Sequence, residues 1–110
     1  MPTSGQHTLL RGRVYAAQLA HVDGQKYYLV VSNNRRNARL PQVLAVRLTT
    51  SPKPSTPSIV ELDQSEVFCG RAVCDDIETL WPDEVRRDLG AVTSRAMARV
   101  AVGLRAALDI

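Results

Sequence analysis

The sequence predicts a mainly β domain of the β-rich α+β class: a small, strongly bent sheet or open barrel closed by a C-terminal amphipathic helix. Three observations predict it. Apolar runs of strand length recur between turn signals, as at Tyr27 to Val31, Val43 to Leu48 and Ile59 to Leu62. The hydrophobic period then changes once, at Ser94, from short runs to a helical stripe. Finally, 110 residues suffice for one hydrophobic core and not for two.

The elements follow in order. Residues 1–10 read as a flexible N-terminal segment and residues 11–110 as the domain. Gly12 to Leu19 is the first predicted strand, with Val14, Ala16 and Gln18 on one face. His21-Val22-Asp23-Gly24-Gln25 is a turn punctuated by Asp-Gly. Tyr27 to Val31 returns as the hairpin partner and is too apolar to have a wet face, so it belongs in the middle of the sheet. Asn33 to Arg39 is polar and can form a turn of helix at most. Val43 to Leu48 is the third strand. Pro52, Pro54 and Pro57 make Ser51 to Ser58 an exposed, semi-rigid loop, because proline cannot join a central ladder and fixes its own φ. Ile59 to Leu62 and Arg71 to Asp75 are further strands, Trp81-Pro82-Asp83-Glu84 reads as a helix start, and Leu89 to Val92 as a short last strand. From Ser94 the apolar positions Met97, Val100, Ala101, Leu104 and Leu108 form one stripe of an amphipathic helix capped by Thr93 or Ser94.

The charges are segregated along the chain. Residues 1–60 carry Arg11, Arg13, Lys26, Arg35, Arg36, Arg39, Arg47 and Lys53 against Asp23 alone, whereas residues 61–110 are net acidic. A basic half is what a polyanion partner requires, since neutralising phosphates and releasing their counterions supplies most non-specific nucleic-acid affinity; a solvated arginine-rich surface is the alternative. No apolar run approaches the roughly 20 residues of a membrane span, and Met1 to Leu10 lacks the features of a secretory signal, so the expectation is a cytoplasmic protein with no membrane partner. Cys69 and Cys74 fit neither a zinc spacing nor a redox pair and read as buried free thiols. No metal or other cofactor is expected.

Three strand runs end in polar residues: Tyr27-Tyr28-Leu29-Val30-Val31-Ser32-Asn33-Asn34, Val43-Leu44-Ala45-Val46-Arg47-Leu48-Thr49-Thr50-Ser51, and Ala72-Val73-Cys74-Asp75-Asp76-Ile77-Glu78-Thr79. Small hydrogen-bonding residues delivered to a common edge of a rigid sheet would make a site for positioned chemistry. In order and spacing these runs resemble the MazF/PemK/Kid toxins, whose pattern reads roughly Arg-Pro-x-Leu-Val-Val-Ser-Asn, Val-x-Pro-Leu-Thr-Ser and Val-Asp-Gln-Ile-Arg-Thr. The likeness covers nearly all of residues 11–110, including the final helix. It implies an SH3-like barrel, a homodimer, metal-independent cleavage of single-stranded RNA at short sequences, and an acidic antitoxin partner. The chain departs from the pattern where Lys26-Tyr27 replaces Arg-Pro, Arg47 replaces proline and Glu78 replaces arginine. Lysine keeps the charge of the family's catalytic arginine but lacks its planar fork.

Attack by the RNA 2′-hydroxyl needs a base, an acid and donors for the charged phosphorane. Lys26 is the candidate for stabilising that charge; its other reading is a solvated hairpin lysine. Thr49 aligns with the family's active-site threonine and has a hydroxyl suited to a phosphate oxygen, the alternative being a bond to local backbone. His21, in the first loop, has the reference pKa best suited to proton transfer near neutrality, and Asp75 matches the aspartate of the third motif. Asp75 could instead orient Lys26 or another cation, Asp23 in the hairpin could do either job, and the sequence does not assign base and acid. Arg35, Arg36, Arg39 and Lys53 are candidate phosphate anchors, Thr50 a further polar contact and Tyr27 or Tyr28 a stacking platform for a base, at least one of the two tyrosines being core. Two other functions compete: a non-enzymatic poison that binds a protein such as DNA gyrase, and a degenerate member that binds RNA or antitoxin without cleaving. The gyrase poisons on this fold end in Trp-Gly-Ile, whereas this chain ends Leu108-Asp109-Ile110.

Overall fold

A computed structural model describes residues 8–110. Strands β1 (Arg13–Ala17), β2 (Lys26–Val30), β3 (Val43–Thr49), β4 (Ile59–Leu62), β5 (Gly70–Leu80) and β6 (Val85–Ala91) form one six-stranded sheet in the order β4-β5-β3-β2-β1-β6. Every pairing is antiparallel. One turn of helix, α1 (Asn34–Asn37), links β2 to β3, and α2 (Ser94–Leu108) closes the fold. The architecture is the mainly β class expected from the runs and the single change of period, and β2 is central as its apolarity required.

The alternation of side chains along each strand builds two apolar layers, one on each face. Leu29, Val46, Leu48, Val60, Ala72 and Cys74 pack with Ala96 and Val100 of α2, while Tyr15, Tyr28, Val30, Ala45 and Leu80 pack with Leu9 and Leu19 on the other face. Each such Val or Leu contributes roughly 1.5–3 kcal/mol by leaving water. Of the segment expected to be flexible, residues 1–7 lie outside the described residues; Leu9 is buried.

Several boundaries differ from the sequence reading. β1 is shorter at both ends, and Gln18 is exposed rather than on a buried face. β5 continues five residues beyond the expected end at Asp75, through carboxylates of low β propensity; its register on β3 jumps from Arg47↔Val73 to Val46↔Ile77, an irregularity of the kind that bends a sheet. The expected helix at Trp81 is a single 3₁₀ turn, Pro82–Glu84, closed by the Trp81 N–H donating to Glu84 Oε1 at 2.9 Å. From Val85 the chain is extended again, so β6 starts four residues earlier than expected. Cys74 is buried but Cys69 is exposed, against the expectation of two buried thiols.

Helix α2 is capped by Thr93, whose Oγ1 accepts from the Ala96 N–H at 3.1 Å while donating to Glu66 at 2.6 Å. Its buried stripe runs through Ala96, Val100 and Gly103, with Met97, Leu104 and Ala107 beside it. At 100° per residue this is rotated by about 60° from the expected stripe, and Leu108 is half exposed. Gly103 explains the rotation. A Cβ there would stand 2.8 Å from Val60 Cγ2 and 2.9 Å from Cys74 Sγ, so the glycine lets the helix axis sit close over β4 and β5.

Candidate active site

Where β2 begins and β3 ends, the sheet opens into a cleft of about 280 Å³ lined by Gln25, Lys26, Tyr27, Arg47, Leu48, Thr49, Thr50, Ser51 and Phe68. The register Tyr27↔Leu48 carries Lys26 alongside Thr49 on the neighbouring strand. Strand alternation turns Arg47 and Thr49 to the same side. Tyr27 packs against Phe68 with ring centroids 5.3 Å apart, forming an aromatic wall. Behind it, Gly70 lies so near Thr49 that a Cβ would come within 2.5 Å of the Thr49 carbonyl oxygen and 2.8 Å of the Phe68 ring.

The Thr49 hydroxyl is oriented by its own chain. Its Oγ1 accepts from the Ser51 N–H at 3.1 Å, which is the local backbone bond that threonine favours at strand ends. With a lone pair occupied in this way, the hydroxyl proton is the part left to offer, and a phosphate oxygen accepts such a donor. Two arginines stand nearby with different commitments. Arg71, opposite Thr49 in the β3–β5 register, donates from Nη1 to the Thr50 and Ser51 carbonyls and pairs through Nε with Glu61 at 3.0 Å, so it fixes the strand end. Arg47 is half-buried, and its hydrogen bond among the described residues runs from Nε to the Leu48 carbonyl at 3.3 Å.

Lys26, Tyr27, Thr49 and Thr50 therefore meet in one cleft, and Lys53 follows it in the exposed proline-rich loop. The remaining sequence candidates lie elsewhere. His21 is outside the lining, its Nε2 2.9 Å from Glu78 Oε1 on β5. Asp75 falls in the irregular stretch of β5 and accepts from the Ser58 hydroxyl at 2.6 Å. Arg35, Arg36 and Arg39 follow the far end of β2, about four strand steps or roughly 13 Å from Lys26 at the usual strand rise; Arg36 is tied to the Gln42 carbonyl at 2.9 Å.

The expected common edge of polar strand ends does not form. β2 and β3 are antiparallel, so their C-terminal ends lie at opposite edges of the sheet. Ser32, Asn33 and Asn34 instead organise the α1 turn. Ser32 Oγ donates to Asn37 Oδ1 at 2.6 Å and accepts from the Leu44 N–H at 3.0 Å, Asn33 caps α1 through the Arg36 N–H at 2.8 Å, and Asn34 holds the Arg11 N–H at 2.8 Å. Sequence reasoning also passed over Phe68, which lines the cleft, and Gly70 and Arg71, which the β3–β5 pairing sets against Thr49. Gly70 beside Phe68 was the one local signal available.

Among the described residues no three His, Cys, Asp or Glu side chains gather as a metal site, and no helix is long and apolar enough to cross a membrane. A family model described as a PemK-like, MazF-like toxin of type II toxin-antitoxin systems matches residues 10–108. The curated relatives Endoribonuclease MazF1 of Mycobacterium bovis and Endoribonuclease MazF4 of Mycobacterium tuberculosis are each 41% identical over 101 residues, covering 92% of this chain and 93% of the relative. Among solved structures, a mycobacterial endoribonuclease in complex with its cognate antitoxin is 40% identical, with a TM-score of 0.85 over 93% of this chain and 96% of that one. A MazE–MazF complex from Deinococcus radiodurans, 20% identical with a TM-score of 0.77 over 94% and 99% of the two chains, shares the fold.

Proposed function

This chain belongs to the PemK-like, MazF-like toxin family of type II toxin–antitoxin systems, and from that premise we propose that it is an endoribonuclease cutting single-stranded RNA at short sequences, without a metal, in the cleft between β2 and β3. The observation that carries the assignment of the site is the convergence of Lys26 and Thr49 from neighbouring strands. In this reading the 2′-oxygen of the RNA forms a bond to the adjacent phosphorus while the P–O5′ bond breaks. The 2′-hydroxyl proton passes to a base and the departing 5′-oxygen gains a proton, leaving a 2′,3′-cyclic phosphate and a 5′-hydroxyl. Lys26 opposes the charge that grows on the phosphorane, and the Thr49 hydroxyl donates to one of its oxygens. His21 and Asp75 lie outside the cleft lining, each hydrogen-bonded to a partner there, and the base and acid are not assigned to them in this reading.

Tyr27 offers a face for a base, with Thr50 and Lys53 beside the phosphates. Arg35, Arg36 and Arg39, beyond the far end of β2, serve a longer stretch of RNA or the antitoxin. The partner is an acidic antitoxin, as the antitoxin-bound structures among the relatives support, and an acidic segment would compete with RNA for the same cations. The working form is a cytoplasmic homodimer. Relatives that act as endoribonucleases, together with the Lys26–Thr49 cleft, favour cleavage over a gyrase-binding poison.

The test is cleavage of a long single-stranded RNA by purified protein in excess EDTA, with Lys26→Ala and Thr49→Ala alongside and product ends mapped. Discrete cuts by the parent, reduced on the order of a hundredfold or more in each variant, are expected. Undiminished cutting by both variants would place the chemistry elsewhere.

A further inference from the structure

We propose that Arg47 is a further catalytic residue, the guanidinium that grips the scissile phosphate alongside Lys26. The inference rests on the ribonuclease reading above and adds a group to it. A phosphorane exposes two equatorial oxygens that both gain charge, and a planar fork with parallel N–H donors matches them better than a single ammonium. Lys26 supplies only the ammonium. The cleft contains one guanidinium besides, that of Arg47, two residues before Thr49 and on the same side of β3.

Three features of Arg47 suit it to that task. Its Nε is anchored to the Leu48 carbonyl at 3.3 Å, and its stem stands on a strand paired on both sides, with Tyr28 and Val73 as register partners. The side chain is therefore positioned by the sheet and not by a mobile loop. Its two Nη groups have no hydrogen-bond partner among the described residues and no carboxylate within ion-pair distance, in contrast to Arg71, which is committed to Glu61 and two carbonyls. It is also half-buried, so a charge pair formed there is less screened by water than one on an open surface. Lys26, Arg47 and Thr49 then bring an ammonium, a fork and a hydroxyl to one phosphate.

A purely structural arginine, beside Tyr28 on the neighbouring strand and bonded to the Leu48 carbonyl, is the competing role, and the experiment separates the two. Single-turnover cleavage of a defined single-stranded RNA in excess EDTA is measured for the parent, Arg47→Ala, Arg47→Lys and the double variant Lys26→Arg/Arg47→Ala. Binding of the corresponding 2′-deoxy strand, which has no nucleophile, is measured beside it. The expected result is a cleavage rate on the order of a hundredfold lower in Arg47→Ala, at unchanged cut positions, with a much smaller loss of binding. Arg47→Lys, which keeps the stem and the charge, stays at least tenfold below the parent, and Lys26→Arg restores most of the rate lost in Arg47→Ala by returning a fork from the neighbouring strand. Parent-like cleavage by Arg47→Lys overturns the proposal and leaves the ribonuclease reading intact, as does a shift of the cut sequence, which would make Arg47 a reader of bases. A parent that cuts no RNA removes the ribonuclease reading and this proposal together.

Discussion

In the proposed mechanism Thr49 serves the fold and the chemistry with one side chain: its oxygen accepts from the Ser51 N–H, and its hydroxyl proton is left to donate to a phosphate oxygen. The residue that fixes its place is Gly70, a position without a side chain. Because a Cβ at Gly70 would come within 2.5 Å of the Thr49 carbonyl oxygen, Gly70→Ala must move the β3 backbone or the start of β5. The expected outcome is about 1–3 kcal/mol of lost stability in urea unfolding. A cleavage rate about 10- to 100-fold lower, measured well below the unfolding transition, should accompany it, since displacement of a positioned group by about 1 Å costs that order. Parent-like cleavage would show that Thr49 tolerates a shifted backbone. At this scale the sequence was legible where a residue's place is set by its own strand, as for Lys26 and Thr49, which line one cleft. It misled where identical chemistry serves a turn: Ser32, Asn33 and Asn34 look like a polar site but hold the α1 turn, through the buried Ser32–Asn37 hydrogen bonds, the Asn33 cap and the Asn34 bond to the Arg11 N–H.

The elements divide between those set by local pattern and those set by tertiary contact. β2, β3 and β4 begin and end within about a residue of where their apolar runs do, because each run has strand length, is rich in Val, Ile, Leu or Tyr, and is bounded by turn residues. β5 and β6 do not, since their exposed and charged residues, Asp75 to Thr79 and Arg86 to Asp88, are held in the sheet by neighbours and by ion pairs such as Arg13–Asp88 at 3.0 Å, not by their own burial. The face of α2 was misread for the same reason: the deepest contact is Gly103, which a hydrophobicity pattern does not score. Replacing it tests that account. In the middle of a free helix Gly→Ala would stabilise by roughly 0.5–1 kcal/mol, but here the new methyl meets Val60 and Cys74 at under 3 Å. Gly103→Ala is therefore expected to reverse the sign, with a net loss of about 1–3 kcal/mol seen as a lower urea midpoint at an unchanged slope. A rise in the midpoint would mean that α2 lifts off β4 and β5 without penalty.

For the molecule as a whole, the basic half of the sequence is not one basic surface. Folding interleaves the two halves, since β6 pairs with β1 and β5 with β3. Asp88 neutralises Arg13 and pushes its pKa above the ordinary arginine value, and Glu61 does the same service of charge balance for Arg71. What survives at the cleft is Lys26 and Arg47, with Lys53 on the adjoining loop. RNA affinity should therefore depend on a few cations and not on net charge. Each phosphate neutralised on a single strand contributes about −0.7 to the slope of log affinity against log salt. Three such contacts predict a slope of about −2 for a 2′-deoxy strand that binds without being cut and is too short to reach Arg35, Arg36 and Arg39. Lys53→Gln should reduce its magnitude by about 0.7, a single contact's share. Arg13→Gln, which removes an arginine already balanced by Asp88, should leave the slope where it was. Equal losses from both substitutions, measured by fluorescence anisotropy between low and physiological salt, would mean that the strand responds to the overall charge of the protein and is not held at this cleft.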